Sequence, residues 1–189
     1  MEKELKINIE NAVALYNNTN ADGRELSEHL FGREIFMPKD IKERVKTFED
    51  ACKVLGNDNQ AVVDYFALCD ATATADILAF AQLRVIAEAL NEGWQPCYDV
   101  DECRYYPWFY IFSKEEYDEL DKEEKATCRI VGRSSNYANA LGGIVYAHAY
   151  HASLHSHTHY GSRLAFKTRE LAEYCGKKFI EIWEKYMFE

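Results

Sequence analysis

The spacing of hydrophobic residues over the first ninety positions predicts a series of short amphipathic helices. Apolar residues recur at intervals of three and four, and polar residues that favour helix starts precede several of these patterns. Asn8 precedes the first pattern, and Asp22 starts a second short helix. Thr47–Asp50 has the form of a capping box with Asp in place of the usual Glu. The longest pattern covers residues 71–91, so we predict a helical N-terminal region over residues 1–92.

The character of the chain changes at Trp94, where helical periodicity gives way to aromatic and β-favouring residues. Ser113 begins a short charged helix through an S-x-x-E capping box, and Thr168 caps a final helix to about residue 187. The predicted strands are 104–112, 127–132, 143–150 and 162–166. Residues 93–189 would therefore form a small antiparallel sheet closed by a C-terminal helix. With the helical N-terminal region, this order predicts an α+β fold.

The final helix has one apolar face that we expect to pack on this sheet. Leu171, Phe179 and Ile182 lie on that face, with Trp108 or Phe109 opposite. Pro107 interrupts the strand 104–112 and has no backbone N–H to give to a ladder, which favours an edge strand or a bulge there.

Composition narrows the classes of partner and the compartment. The 189 residues carry a formal net charge of −10, and this sign disfavours nonspecific binding of nucleic acid. No segment is apolar for long enough to span a bilayer, and the N-terminus lacks the apolar core of a secretory signal. The six cysteines show no CxxC spacing, which favours reduced thiols. We therefore expect a cytoplasmic protein without a membrane or nucleic-acid partner.

Residues 134–160 are rich in Tyr, Ser, Asn and His, which are residue types that contact-making loops favour. One interpretation is a recognition surface for a protein or a small-molecule ligand of unknown identity. The alternative is ordinary packing of Tyr and Ala in the sheet. The candidate ligand-binding residues are Tyr137, Asn139, Tyr146, Tyr150, His151 and Tyr160.

Five of the six histidines fall between His148 and His159. If 155–159 is extended, then His155, His157 and His159 share one face and are candidate ligands for a transition metal. Same-face neighbours are roughly 6.5–7 Å apart at the backbone, so a further ligand such as Glu102 or Cys103 would be needed. The alternative is a solvated polar loop. No catalytic residue or cofactor is assigned, and enzymatic activity is left open.

Three blocks in the second half of the chain resemble a family of uncharacterised proteins from gut anaerobic bacteria and their prophages. The blocks are NEGWQP at 91–96, RYYPWF at 104–109 and GSRLAFKTRELAEYCGKKFIEIW at 161–183. HLFGREIF at 29–36 and RVKTFEDACKVLG at 44–56 resemble segments that precede them in that family. The resemblance implies a phage-associated or accessory role and supplies no catalytic residue.

Two functional hypotheses follow. The first is a non-enzymatic, phage-associated or accessory binding protein that presents the histidine-rich 134–160 segment. The second is a metal-dependent protein, such as a hydrolase, that uses the His148–His159 cluster.

Overall fold

The computed structural model describes residues 8–32, 35–97, 101–127, 143–152 and 162–189. Its contacts divide the chain into two compact units, Met1–Arg44 and Val45–Glu189. The sequence boundary at residue 92/93 lies inside the second unit. Across that position, α6 packs against both C-terminal helices, whose bounds are given below.

The first unit is built from helices that begin at asparagine caps. Asn8 accepts a hydrogen bond from the Glu10 backbone N–H, as the sequence predicts. The second helix starts one position before the predicted Asp22, because Asn20 accepts from the Gly23 N–H. A short side-chain oxygen at this position satisfies an N–H that has no partner within the helix. The helices are α1 (Ile9–Asn17), α2 (Ala21–Phe31) and α3 (Ile41–Arg44).

Aromatic and polar contacts hold this unit together. The Tyr16 ring stacks on Phe36 with 4.3 Å between centroids, and its hydroxyl donates to the Glu28 carboxylate at 2.6 Å. Arg24 lies over the same ring and donates to the Tyr16 carbonyl. Tyr16 therefore links α1 to α2 both through its ring, over which Arg24 lies, and through its hydroxyl, which bonds to Glu28.

The second unit contains the remaining helices and both strands of the described chain. The capping boxes at Thr47 and Ser113 are confirmed, and Asn59 and Thr168 cap the helices that follow them. The elements are α4 (Phe48–Leu55), α5 (Gln60–Asp70), α6 (Ala75–Asn91), β1 (Arg104–Phe112), α7 (Lys114–Glu119), α8 (Lys122–Thr127), β2 (Gly143–Ala152), α9 (Arg169–Lys178) and α10 (Ile180–Phe188).

Helix α6 is the centre of this unit. It contacts α4, α5, α9, α10 and the 3₁₀ helix Ser162–Leu164. Leu83, Ile86 and Leu90 are fully buried, and removal of each such side chain from water contributes roughly 1.5–3 kcal/mol. A helix that is apolar on nearly every side is expected to lie inside the core.

The two strands form an antiparallel pair in which Arg104 lies opposite Ala152 and Phe112 opposite Gly143. The ladder is irregular between Trp108 and Phe109, where the partner changes from His148 to Tyr146. The bulge predicted near Pro107 is therefore present one residue later. A bulge of this kind bends the pair and changes the direction of the side chains that follow it.

The larger sheet expected from the sequence is not confirmed. Residues 162–166 were expected to form a strand, but they contain the 3₁₀ helix and a single bridge from Phe166 to Tyr105. Thr127 ends α8, and the rest of the strand expected at 127–132 lies outside the described residues. The described chain is mostly helical with one strand pair, and an α+β fold with a sheet closed by the C-terminal helix is not established.

The final helix breaks at Phe179, where α9 ends and α10 begins. Leu171 and Phe179 are buried as expected, whereas Ile182 is only half-buried. The aromatic residue opposite is Phe109, whose ring lies 5.5 Å from that of Trp183. Helix α9 packs against β1 and β2. No helix in the described ranges is both long and apolar enough to cross a membrane.

Candidate functional site

Strand β1 exposes large hydrophobic side chains next to the bulge and beyond it. Tyr106 is 1% exposed, whereas Trp108 is 38%, Tyr110 is 62% and Ile111 is 53% exposed. Tyr106 and Trp108 are two positions apart and would share a face in a regular strand, yet Tyr106 is buried and Trp108 is exposed. The ladder becomes irregular immediately after Trp108. Several large exposed apolar side chains on one strand make that strand a candidate interaction site. We refer to Trp108, Tyr110 and Ile111 as the β1 surface.

Strand β2 places four residues from the Tyr/His-rich segment beside β1. His148 lies opposite Trp108, and His151 lies opposite Tyr105. Tyr146 and Tyr150 also occupy the ladder, opposite Phe109 and Tyr106 respectively. The remaining candidates fall outside the described residues: Tyr137, Asn139, His155, His157, His159 and Tyr160.

The two residues considered as additional metal ligands are also placed. Both carboxylate oxygens of Glu102 accept from the Cys97 backbone N–H, at 3.2 and 3.0 Å, and Cys103 is exposed. Within the described ranges, no three His, Cys, Asp or Glu side chains are grouped closely enough to hold a metal ion. The metal hypothesis thus depends on histidines that lie outside those ranges.

Two thiols are poor candidates for nucleophilic chemistry. Burial raises the pKa of Cys175 to about 12, and the neighbouring Trp183 offsets only part of this effect. Burial, with the nearby charge of Glu49, also raises the pKa of Cys52. Since the thiolate is the reactive form, both side chains are protonated and weakly nucleophilic at neutral pH.

A cavity of about 290 Å³ lies beside α6 and was not predicted from the sequence. We call it the α6 cavity. Its floor is a polar stripe of Arg84, Glu88 and Asn91, which follow one another at helical spacing. Gln95 and Ala165 complete its wall together with Trp94, Pro96 and Arg163.

Two floor residues are held by α5. Arg84 donates through Nη1 to the Asp64 carboxylate at 2.7 Å, and the Glu88 carboxylate accepts from Asn59 Nδ2 at 2.7 Å. Asn59 also caps α5 through its side-chain oxygen. The positions of Arg84 and Glu88 are thus fixed by charged or polar partners on a neighbouring helix.

Asn91 is buried and connects the floor of the α6 cavity to its walls through hydrogen bonds. Its amide donates to the Ala165 carbonyl at 2.8 Å, and its oxygen accepts from the Lys167 N–H at 3.0 Å. The chain reverses at Glu92 and Gly93, which have φ angles of 50° and 83°. The backbone N–H of Trp94 then donates to the backbone carbonyl of Asn91 at 3.0 Å. One asparagine therefore organises both walls of the α6 cavity.

The arginines at the edge of the α6 cavity affect the pKa of Asp64. Hydrogen bonds from Gln60 and Arg84, together with the positive charges of Arg84 and Arg163, hold the pKa of Asp64 below its usual range. Asp64 is therefore ionised at neutral pH, and Arg163 is near enough to act on it electrostatically.

The sequence did contain a signal for this cavity. Arg84, Glu88 and Asn91 are polar residues at i, i+4 and i+7 in the long, largely buried helix α6. Burial of such groups is costly unless they have partners or solvent. An interrupted apolar pattern of this kind indicates that one side of α6 faces a polar space.

Comparison with protein-family models, curated proteins and solved structures finds no match for this chain. The resemblance to proteins of gut anaerobes and their prophages therefore stays a prediction.

Proposed function

We propose that the protein is a non-enzymatic binding protein that recognises a protein partner through the β1 surface and the 134–160 segment. The observation that carries this proposal is the exposure of Trp108, Tyr110 and Ile111 on the strand that pairs with residues 143–152. Trp and Tyr combine a large apolar area with a polar atom and are enriched at protein interfaces.

The area that a specific interface needs supports a contribution from both the β1 surface and the 134–160 segment. A specific interface buries about 800 Å² on each partner, which three side chains do not supply. The paired strand β2 carries Tyr146, His148, Tyr150 and His151 into the same region of the chain. The Tyr- and Ser-rich composition of 134–160 favours adaptable contacts around a rigid aromatic centre.

The wider role that we propose is a phage-associated or accessory one in the cytoplasm, with no nucleic-acid partner. The resemblance of the sequence blocks to proteins of gut anaerobes and their prophages supports the phage-associated or accessory role. The net charge of −10 supports the exclusion of nucleic acid, because a negative field repels phosphate backbones. Cys52, Cys69, Cys97, Cys103 and Cys175 are free thiols, and this supports a reducing compartment.

The proposal can be tested by photocrosslinking in the cells that natively encode the chain. A photoreactive phenylalanine analogue would replace Tyr110, and in a matched control it would replace Phe66. Phe66 is 53% exposed on α5, so both probes are accessible to solvent. Adducts would be separated by mass and identified by peptide sequencing.

We expect a discrete protein adduct from position 110 that position 66 does not form. Identical adducts from both positions, or no adduct from position 110, would contradict the proposal. An adduct whose mass equals two copies of the chain would replace an external partner with self-association and would also contradict it. The metal-dependent alternative, based on His155, His157 and His159, stays a prediction.

A further inference from the structure

The polar groups of the α6 cavity have hydrogen-bonding capacity that the described residues do not use. Arg84 donates to Asp64 through one nitrogen, and a guanidinium has five N–H donors. Glu88 accepts from Asn59 at one oxygen, and no described residue donates to its other oxygen. Arg163 forms no hydrogen bond or ion pair within the part of the chain that the structure describes.

The charges around this cavity are balanced. Arg84 and Arg163 are cationic, while Glu88 and Asp64 are anionic. The chain as a whole carries −10, so a ligand with only negative charge meets an unfavourable field on approach. A ligand with only positive charge meets two guanidiniums. A zwitterion avoids both penalties and can pair with each sign.

The size and the apolar wall restrict the ligand further. A volume of about 290 Å³ lies at the lower end of the range for small-molecule pockets, roughly 300–1,000 Å³. Trp94 and Pro96 form the apolar part of the wall. An indole binds flat apolar groups by stacking and binds ammonium groups through its face.

We propose that the α6 cavity binds a free amino acid with an aromatic or large aliphatic side chain. The α-carboxylate pairs with the Arg163 guanidinium, and the α-ammonium donates to the available oxygen of Glu88. The side chain of the amino acid packs against Trp94. This site uses other residues than the proposed protein-binding surface and takes a different class of ligand.

Isothermal titration calorimetry of the full chain tests the ligand class. The probes are L-phenylalanine and L-leucine, with N-acetyl-L-phenylalanine as the form without an ammonium and L-phenylalaninamide as the form without a carboxylate. The dipeptide of two phenylalanines separates a free amino acid from a peptide end. We expect the free amino acids to bind, and each of the other three probes to bind about 10-fold more weakly or worse.

Three variants test the assigned contacts. Arg163→Gln and Glu88→Gln each replace a charged group with a neutral amide, and Trp94→Leu removes the indole. Arg169→Gln is the matched control, because Arg169 is also an exposed arginine and does not line the cavity. We expect a loss of about 10-fold or more in affinity for Arg163→Gln and Glu88→Gln, and an unchanged affinity for the control.

Three results would overturn the proposal. The first is no binding heat for either L-phenylalanine or L-leucine. The second is that the probes lacking one charge bind as tightly as L-phenylalanine, and the third is that the variants bind as tightly as the control. Arg163 is exposed, so its replacement leaves the core intact. A circular-dichroism melt verifies this for each variant, and Trp94→Leu gives a second measurement if one charge variant unfolds.

Discussion

The substitution Asn91→Ala tests how the fold holds the α6 cavity together. The Asn91 side chain is 5% exposed and bonds both to the Ala165 carbonyl and to the Lys167 N–H. Alanine can make neither bond. The two backbone groups then lose their partner in a place that water reaches poorly.

The expected loss can be worked out from the burial of those two groups. Ala165 is 1% exposed, and an unsatisfied buried acceptor costs roughly 1–3 kcal/mol. Lys167 is half-buried, so its N–H can recover a bond to water and contributes at the lower end of that range. Together they predict a decrease of about 2–4 kcal/mol in the free energy of unfolding.

Urea denaturation followed by circular dichroism measures this decrease. With an m-value of about 2 kcal/mol/M, the midpoint should fall by roughly 1–2 M without a change in slope. Asn57→Ala is the matched control, since Asn57 is exposed in a turn, and it should change the free energy by less than about 0.5 kcal/mol. A midpoint for Asn91→Ala within error of the control would refute the account of how the cavity walls are held.

Three further predictions concern the rest of the second unit. Asp64→Asn should lower the melting temperature at pH 7. The pKa of Asp64 is lowered in the folded state, so its contribution is complete above the unfolded-state value of about 3.9 and is lost as pH falls through the folded-state value. The two melting curves should therefore converge in strong acid, and a constant difference down to about pH 2 would contradict this. Phe179→Ala should cost roughly 3–5 kcal/mol in a urea melt, because the ring is buried between α9 and α10, and an unchanged midpoint would show that it is not core. If the metal hypothesis is right, elemental analysis of untagged protein should find about one equivalent of transition metal that a His155→Ala/His157→Ala/His159→Ala variant loses; metal in neither protein would end that hypothesis.

Helix starts could be predicted from the sequence because their causes are local. Asn8 bonds to a backbone N–H two residues away, and Thr47 and Ser113 bond to N–H groups three residues away. Each signal lies within one short stretch of residues. The strand 104–112 was also predictable, since its aromatic and β-favouring composition is continuous.

The extent of the sheet was not predictable because it depends on distant partners. The backbone at Ala165 and Lys167 bonds to Asn91, which lies 74 and 76 residues earlier in the chain. These bonds occupy backbone groups that a strand would offer to a ladder. Within the described chain, residues 162–166 make one bridge, from Phe166 to Tyr105.

The α6 cavity could be predicted from the sequence only in part. The spacing of Arg84, Glu88 and Asn91 is visible in the sequence and indicates a polar side on α6. Their hydrogen-bond partners at α5, and the position of Arg163 beside the same cavity, depend on the tertiary structure. A sequence pattern can therefore identify the stripe, while the position of both arginines and Trp94 around one cavity becomes apparent only in the fold.

The most direct test of the proposed binding function is the yield of the adduct from a photoreactive probe at Tyr110, with and without Trp108→Ala. Both side chains belong to the β1 surface, and loss of a central Trp at an interface typically costs 2 kcal/mol or more, roughly 30-fold in affinity. We predict that the discrete protein adduct disappears in the Trp108→Ala background while circular dichroism shows that the variant is still folded. An adduct of equal yield in both backgrounds would contradict the claim that the β1 surface is the recognition site.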